Sequence, residues 1–320
     1  MLNKIIVVFP GQGSQIVGMG KGLFEEHHIA RHVFEEVDNS LNFKLSKIIF
    51  EGSDEELTYT PNAQPALMAV SMALVRVTEH ETKKRIFEFF DIILGHSLGE
   101  YSALCSLNTI DIKDAAILLR RRGEAMQSSV NNINTKMSAV IGLDISKVEK
   151  VIEENKLDVN EVCEIANDNC PGQVILSGTE NGVKFISNIL KKHGARSIVD
   201  LKVSAPFHCS LMKSASKIMK QSLSSVKFNK LNSKFISNVT ANFEDNTETI
   251  KELLIKQVFC RVRWRESIIK STSNINSLIE IGAGKILTGM NKRINKSFNL
   301  FNISNLEEIE IFLEKYKDIL

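Results

Sequence analysis

Apolar positions recur along this chain with two different periods. Ile5 to Phe9 is an unbroken run of five and Ile92 to Leu94 a shorter one, both of a length that predicts strands covered on two faces. Around Gln64–Thr78 and Ile112–Val130 the apolar residues instead fall three and four apart, which predicts amphipathic helices. Residues 1–131 therefore read as an α/β layout. The stretch NNINTK, starting at Asn131, has no apolar period and reads as a linker. Beyond it the strand-like segments MSAVIGL, VCEIAN, QVILSG and RSIVDLKV are interleaved with helix-like ISKVEKVIEENK and ENGVKFISNILKKHG in the order βαββαβ, a ferredoxin-like arrangement. After Val203 the first style resumes, with KFISNVT and SLIEIG as further strands. The expected organisation is an α/β core of residues 1–131 and 204–320 with a ferredoxin-like subdomain, 132–203, inserted in it.

Composition narrows the class of protein. At 320 residues, 43% hydrophobic and 24% charged, the chain has the balance of a folded soluble protein. Its 40 basic and 38 acidic residues leave a net charge of +2, so no global field points to nucleic acid or an anionic membrane. The run Ile5–Phe9 is too short for a signal-peptide core, and no apolar run approaches the length of a membrane span. Five cysteines, at 105, 163, 170, 209 and 260, are an odd number without a CxxC pair, which argues against a disulfide framework and a zinc site and suits the cytoplasm. FPGQGSQ (9–15) lacks the spacing of a phosphate loop, and GAGK (282–285) has no glycine at 279. No metal and no cofactor is expected.

The candidate chemistry begins at Gly95-His96-Ser97-Leu98-Gly99, directly after the Ile92–Leu94 strand and at the start of a helix. Glycines on both sides let strand and helix approach closely and let Ser97 take a strained conformation, the geometry of a nucleophile elbow. The alternative is a serine that only caps the helix. A nucleophilic serine needs a base. Among the seven histidines, His27, His28, His32 and His80 lie in charged stretches, His193 stands at a helix end, and His96 should point away from the Ser97 hydroxyl. His208, in the loop VSAPFHCSLM after a strand, is the candidate partner. Arg122 follows Leu118 and Leu119 at helical spacing on the buried stripe, while Arg120 and Arg121 can turn outward. A buried ion pair or a snorkelling side chain would explain it; so would a guanidinium kept to grip an anionic substrate group through two parallel bonds. The loop after the first strand can aim a backbone N–H at the site, making an oxyanion hole with the N–H of Leu98.

Taken in order, FPGQGSQ, GHSLGEYSAL, RRRGEAMQ, NDNCPGQVILSG, VSAPFHCSLM, QVFCRVRW and EIGAGKILTGM resemble the malonyl-CoA:acyl carrier protein transacylase family from about residue 5 to 294. The resemblance implies a hydrolase-like α/β domain with a ferredoxin-like insertion. It implies Ser97 as the acylated nucleophile, His208 as its base, Arg122 as the ligand of the malonyl carboxylate, and the N–H groups of Gln12 and Leu98 as oxyanion donors. Gln257 matches the family glutamine that lines the site near the histidine, and Phe207 is similar to the bulky residue that disfavours branched acyl groups. Arg261 and Cys170 depart from the family, which commonly has proline and serine there. The implied activity is ping-pong transfer of malonyl from coenzyme A to the phosphopantetheine thiol of acyl carrier protein, in fatty acid biosynthesis, by a cytoplasmic monomer that binds neither nucleic acid nor membrane. Lys191, Lys192 and Arg196 are candidates to meet the acidic carrier or the coenzyme phosphates. A serine esterase with the same elbow, and a non-catalytic scaffold that binds the carrier, are the rival readings.

Overall fold

All five residues of β1 (Ile5–Phe9) are buried, and alternate side chains serve opposite faces of one sheet. Ile5, Val7 and Phe9 join an apolar cluster with the helix Thr60–Thr82, while Ile6 and Val8 pack with Trp264 and Ile268 on the other side. That two-sided cover is why the strand reads as an unbroken apolar run. The remaining strands are β2 (Ile92–Gly95), β3 (Thr135–Ile141), β4 (Cys163–Cys170), β5 (Gln173–Thr179), β6 (Ser197–Asp200), β7 (Lys234–Ile236), β8 (Phe243–Glu244), β9 (Ser277–Ile281) and β10 (Asn299–Ile303). This computed structural model describes residues 5–130, 133–272, 275 and 277–317.

The larger sheet has the order β10-β9-β1-β2-β7-β8 and is parallel except for β8. In its register Val7 lies opposite both Ile93 of β2 and Ile279 of β9. From β1 the chain proceeds outward through β2, β7 and β8, then returns to β9 on the other side of β1. The carboxyl ends of β1 and β2 thus lie beside the point where strand order reverses, where open α/β sheets bind ligands. The helix Thr60–Thr82 is buried on nearly every side, and the helix Ile112–Ser128 packs along it.

The smaller sheet is antiparallel, with the order β4-β5-β3-β6. The helices Ile145–Glu154 and Glu180–Lys192 bury Val148, Val151, Val183, Ile186 and Leu190 against Val140, Val174 and Leu176 of its strands. Two expectations need correction. The linker predicted at NNINTK is shorter, because Thr135 and Lys136 already pair with Thr179 and Gly178 in β3; Asn131 and Asn132 lie outside the described residues. The strand predicted at RSIVDLKV contracts to Ser197–Asp200, an edge strand with three of its four residues exposed. Backbone pairing overrode side-chain polarity in the first case, and the lack of a second neighbour shortened the strand in the other. Beyond its apolar start β4 reaches the larger layer. The Val262 N–H donates to the Ala166 carbonyl at 2.8 Å, and the Asp168 N–H to the Val262 carbonyl at 3.0 Å.

Candidate active site

The turn between β2 and the helix Gly99–Ser106 holds Ser97 at φ 53°, a left-handed conformation that costs a side-chain-bearing residue energy and needs outside support. Glycine is required on both sides. A Cβ on Gly95 would lie 1.9 Å from the Gly99 carbonyl carbon, and one on Gly99 would lie 2.4 Å from the Phe9 carbonyl oxygen. The support comes from Asn238, just beyond β7. Its Oδ1 accepts the Ser97 N–H at 2.7 Å and its Nδ2 donates to the Gly95 carbonyl at 2.8 Å. The Phe9 carbonyl also accepts the His96 N–H at 3.0 Å, fastening the loop after β1 to the elbow. Gln12 lies in that loop and Leu98 at the N-cap of the helix, and neither backbone N–H bonds to another described residue.

His208 is also held at positive φ, 59°, in the loop after β6. Its Nε2 lies 2.8 Å from Ser97 Oγ, and its Nδ1 lies 2.7 Å from the Gln257 carbonyl. A carbonyl only accepts, so the ring proton sits on Nδ1 and Nε2 is left to receive the Ser97 hydroxyl proton. Burial, and after it the Arg122 charge, push His208 from 6.5 down to about 3. The imidazole is therefore neutral at physiological pH, the state a general base requires. No carboxylate orients it; a backbone carbonyl does.

Arg122 is 2% exposed, which sets aside the snorkelling alternative. Its Nη1 donates to Gln64 Oε1 at 2.7 Å; its Nη2 donates to Gln257 Oε1 at 2.9 Å and to Ser97 Oγ at 3.1 Å. No carboxylate among the described residues lies within ion-pair reach of it, so the buried ion-pair alternative falls as well. Neutral amides hold the guanidinium beside Ser97, and burial lowers its affinity for its proton. An anion brought to Ser97 would meet an unneutralised charge in a low-dielectric setting.

The structure thus brings together Ser97, His208, Arg122 and Gln257, with the loop of Gln12 and the Leu98 N–H alongside. Phe207 is buried in the main apolar cluster and makes no polar contact at the site. His96 turns away, with Nε2 3.0 Å from Asn169 Oδ1 and its ring edge-on to Trp264. His27, His28, His32 and His80 instead cluster with one another. Gln64, Glu100 and Asn238 are contacts the sequence reading missed. Their signal was a polar side chain on an otherwise apolar face, which without tertiary partners cannot be told from an ordinary surface position. Glu100 is 1% exposed; burial raises it from 4.5 to about 8, against the opposing pull of the Asn238 N–H, the Gln257 amide and Arg122.

A cavity of about 570 Å³ opens at His208, its rim carrying Glu149, Glu164, Lys213 and Arg261. Lys191, Lys192 and Arg196 do not line it. Arg261, one of the two departures from the family pattern, donates to Glu149 Oε1 at 2.6 Å and so ties the helix Ile145–Glu154 to the larger layer. A larger hollow of about 850 Å³ lies beneath the amino ends of β2 and β7, at the opposite edge of the sheet from Ser97. Among the described residues no His, Cys, Asp and Glu cluster could hold a metal ion, and no helix is long and apolar enough to cross a membrane.

Residues 6–305 match the acyl transferase domain family. The chain is 41% identical over 318 residues to the malonyl CoA-acyl carrier protein transacylase of Bacillus subtilis, covering 99% of this chain and 98% of that protein. It is 36% identical over 294 residues to the Escherichia coli protein of the same name, covering 92% and 93%. Among solved structures, an acyl-carrier-protein S-malonyltransferase from Bartonella henselae superposes with a TM-score of 0.92 at 46% identity over 98% of this chain and 99% of that one. A malonyl-transacylase in complex with a type II polyketide acyl carrier protein superposes with a TM-score of 0.92 at 33% identity, covering 98% and 100%.

Proposed function

The chain belongs to the acyl transferase domain family, among its malonyl CoA-acyl carrier protein transacylases, and from that premise we propose that its elbow serine carries malonyl from coenzyme A to acyl carrier protein. One observation carries the assignment of roles: Ser97 Oγ lies between a neutral histidine nitrogen at 2.8 Å and a guanidinium nitrogen at 3.1 Å. A hydrolase needs the first contact; a transferase that selects a carboxylated acyl group uses both.

Ser97 Oγ attacks the thioester carbonyl while His208 Nε2 takes its proton, and the N–H groups of Gln12 and Leu98 receive the oxyanion. Collapse expels the coenzyme thiolate, which recovers the proton from His208 and leaves a malonyl-serine ester. The phosphopantetheine thiol of the carrier then attacks that ester by the same steps in reverse, with His208 again the base. Arg122 holds the malonyl carboxylate through both halves. Phe207, adjacent to the base, limits bulk at the acyl α-carbon.

The smaller sheet's strand order supports a ferredoxin-like insertion, residues 132–203, in a hydrolase-like core of 1–131 and 204–320. The protein acts as a monomer in the cytoplasm, in fatty acid biosynthesis, and uses no cofactor or metal. The assignment is tested by intact-protein mass. Malonyl-CoA without acceptor should add one malonyl group to the wild type and none to Ser97→Ala, and holo carrier protein should remove it. An adduct on Ser97→Ala, or one that only water removes, overturns it.

A further inference from the structure

Gln257 carries more contacts at this site than any role assigned to it requires. Its carbonyl oxygen holds His208, its Oε1 accepts from Arg122 at 2.9 Å, and its Nε2 donates to the Ser97 carbonyl at 3.0 Å and to Glu100 Oε2 at 2.5 Å. A side-chain amide has one accepting and one donating end, and here its orientation decides whether Arg122 meets an acceptor or a second donor. Arg122 meets only the oxygen end; the buried Nε2 end is held by the two acceptors it faces, the Ser97 carbonyl and Glu100 Oε2. The far end is where the orientation is set.

Glu100 lies in the first turn of the helix after the elbow, fully buried, with no solvent to satisfy it. Its Oε1 accepts the Asn238 backbone N–H at 2.5 Å, and Asn238 is the residue whose side chain clamps the Ser97 N–H. A backbone donor on one oxygen fixes the carboxyl group, leaving Oε2 aimed at Gln257. We infer that Glu100 is the positioning residue that orients the Gln257 amide and, through it, the Arg122 guanidinium beside Ser97. The Glu100 backbone N–H donates to the Ser97 carbonyl at 3.0 Å, but the Glu100 carboxyl group bonds neither Ser97 Oγ nor His208, and no carboxylate oxygen of it reaches Arg122. One amide separates the two, so Glu100 steers the guanidinium without occupying the positions an incoming carboxylate needs. The inference rests on the function proposed above, since Arg122 matters only if the acyl group is charged.

Glu100→Gln tests it, because shape is kept and an oxygen, which can accept whether or not the carboxyl group is protonated, becomes an NH2 that only donates. If the new amide keeps its oxygen on the Asn238 N–H, its NH2 faces the NH2 of Gln257. If Gln257 turns over to relieve that, its own NH2 faces Arg122 and its oxygen faces the Ser97 carbonyl. Either arrangement leaves like groups opposed in a buried site. The expected result is a fall of about 10- to 100-fold in the ratio of kcat/KM for malonyl-CoA to that for acetyl-CoA, carried by KM for malonyl-CoA. In a Gln257→Met background, where there is no amide to orient, Glu100→Gln should leave that ratio where Gln257→Met alone puts it. An unchanged ratio in Glu100→Gln, equal losses for both acyl groups, or additive effects in the double variant each overturn the role. In the wild type, whatever the variants' folding, the Gln257 side-chain NH2 protons, held by Glu100 and the Ser97 carbonyl, should exchange with solvent far more slowly than those of an exposed glutamine; exchange as fast as an exposed glutamine also overturns it. Failure of the wild type to be malonylated at Ser97 would instead strike the functional reading, so the two failures are distinguishable.

Discussion

At the scale of the residue, the role proposed for Arg122 separates a transferase of charged acyl groups from a general esterase. Its guanidinium is buried and bonded to Gln64, Gln257 and Ser97, all neutral. Arg122→Ala should therefore abolish malonyl selectivity rather than chemistry, since Ser97 keeps its contact with His208 and the backbone donors stay in place. Charge-assisted hydrogen bonds contribute about 1.5–3 kcal/mol each, so loss of a bidentate grip shifts the malonyl-to-acetyl ratio of kcat/KM by about 10²- to 10⁴-fold. Arg122→Lys recovers only part, because a point charge lacks the fork. Both ratios are to be measured with one carrier protein. If the two activities fall together, Arg122 is a structural residue and the elbow a general acyl site.

At the scale of the element, the elbow is a strand and a helix joined with no room to spare. Gly99 is the point where the turn meets its neighbour, since it faces the Phe9 carbonyl of β1 and not merely its own turn. Gly99→Ala must push β1 and the helix Gly99–Ser106 apart. Crowding of this kind costs about 1–3 kcal/mol, read from the denaturant midpoint at unchanged slope. Because the loop of Gln12 follows Phe9 directly, acylation should slow along with the loss of stability. Wild-type stability in Gly99→Ala would mean that the elbow has slack, and the strained Ser97 conformation would then need another cause.

At the scale of the whole molecule, two buried groups at one site titrate in opposite senses. His208 is held below its ordinary value, so the folded protein resists a proton that the unfolded chain accepts. Its contribution to stability is intact above pH 6.5 and is lost as pH falls toward about 3. Glu100 is held above its ordinary value, so its contribution is intact below pH 4.5 and is lost as pH rises toward about 8. Melting temperatures from pH 4 to 8 should show Glu100→Gln losing less than the wild type on the rise from 5 to 8. His208→Gln should lose less on the fall from 6.5 to 4. Parallel curves for all three proteins would show that neither group titrates on unfolding in this range.

The sequence by itself determined the local features. The unbroken run Ile5–Phe9, the glycines flanking Ser97, the βαββαβ order and the buried-stripe position of Arg122 all follow from periods of two and 3.6 residues and from what glycine alone permits. Together with the motif resemblance they singled out Ser97, His208, Arg122 and Gln257. Tertiary structure decided who faces whom. Sequence reading left open whether Arg122 was paired with a carboxylate, and only packing of the helix Ile112–Ser128 on Thr60–Thr82 sets it against Gln64 instead. Asn238 lies 141 residues from Ser97, and Gln257 lies 157 from Glu100. Hydrogen bonds across such separations leave no periodic trace in the chain, because they depend on parallel strands brought side by side and not on any neighbour in sequence. The same physics shortened the linker: a polar Thr135 becomes strand once Thr179 lies opposite to pair with it.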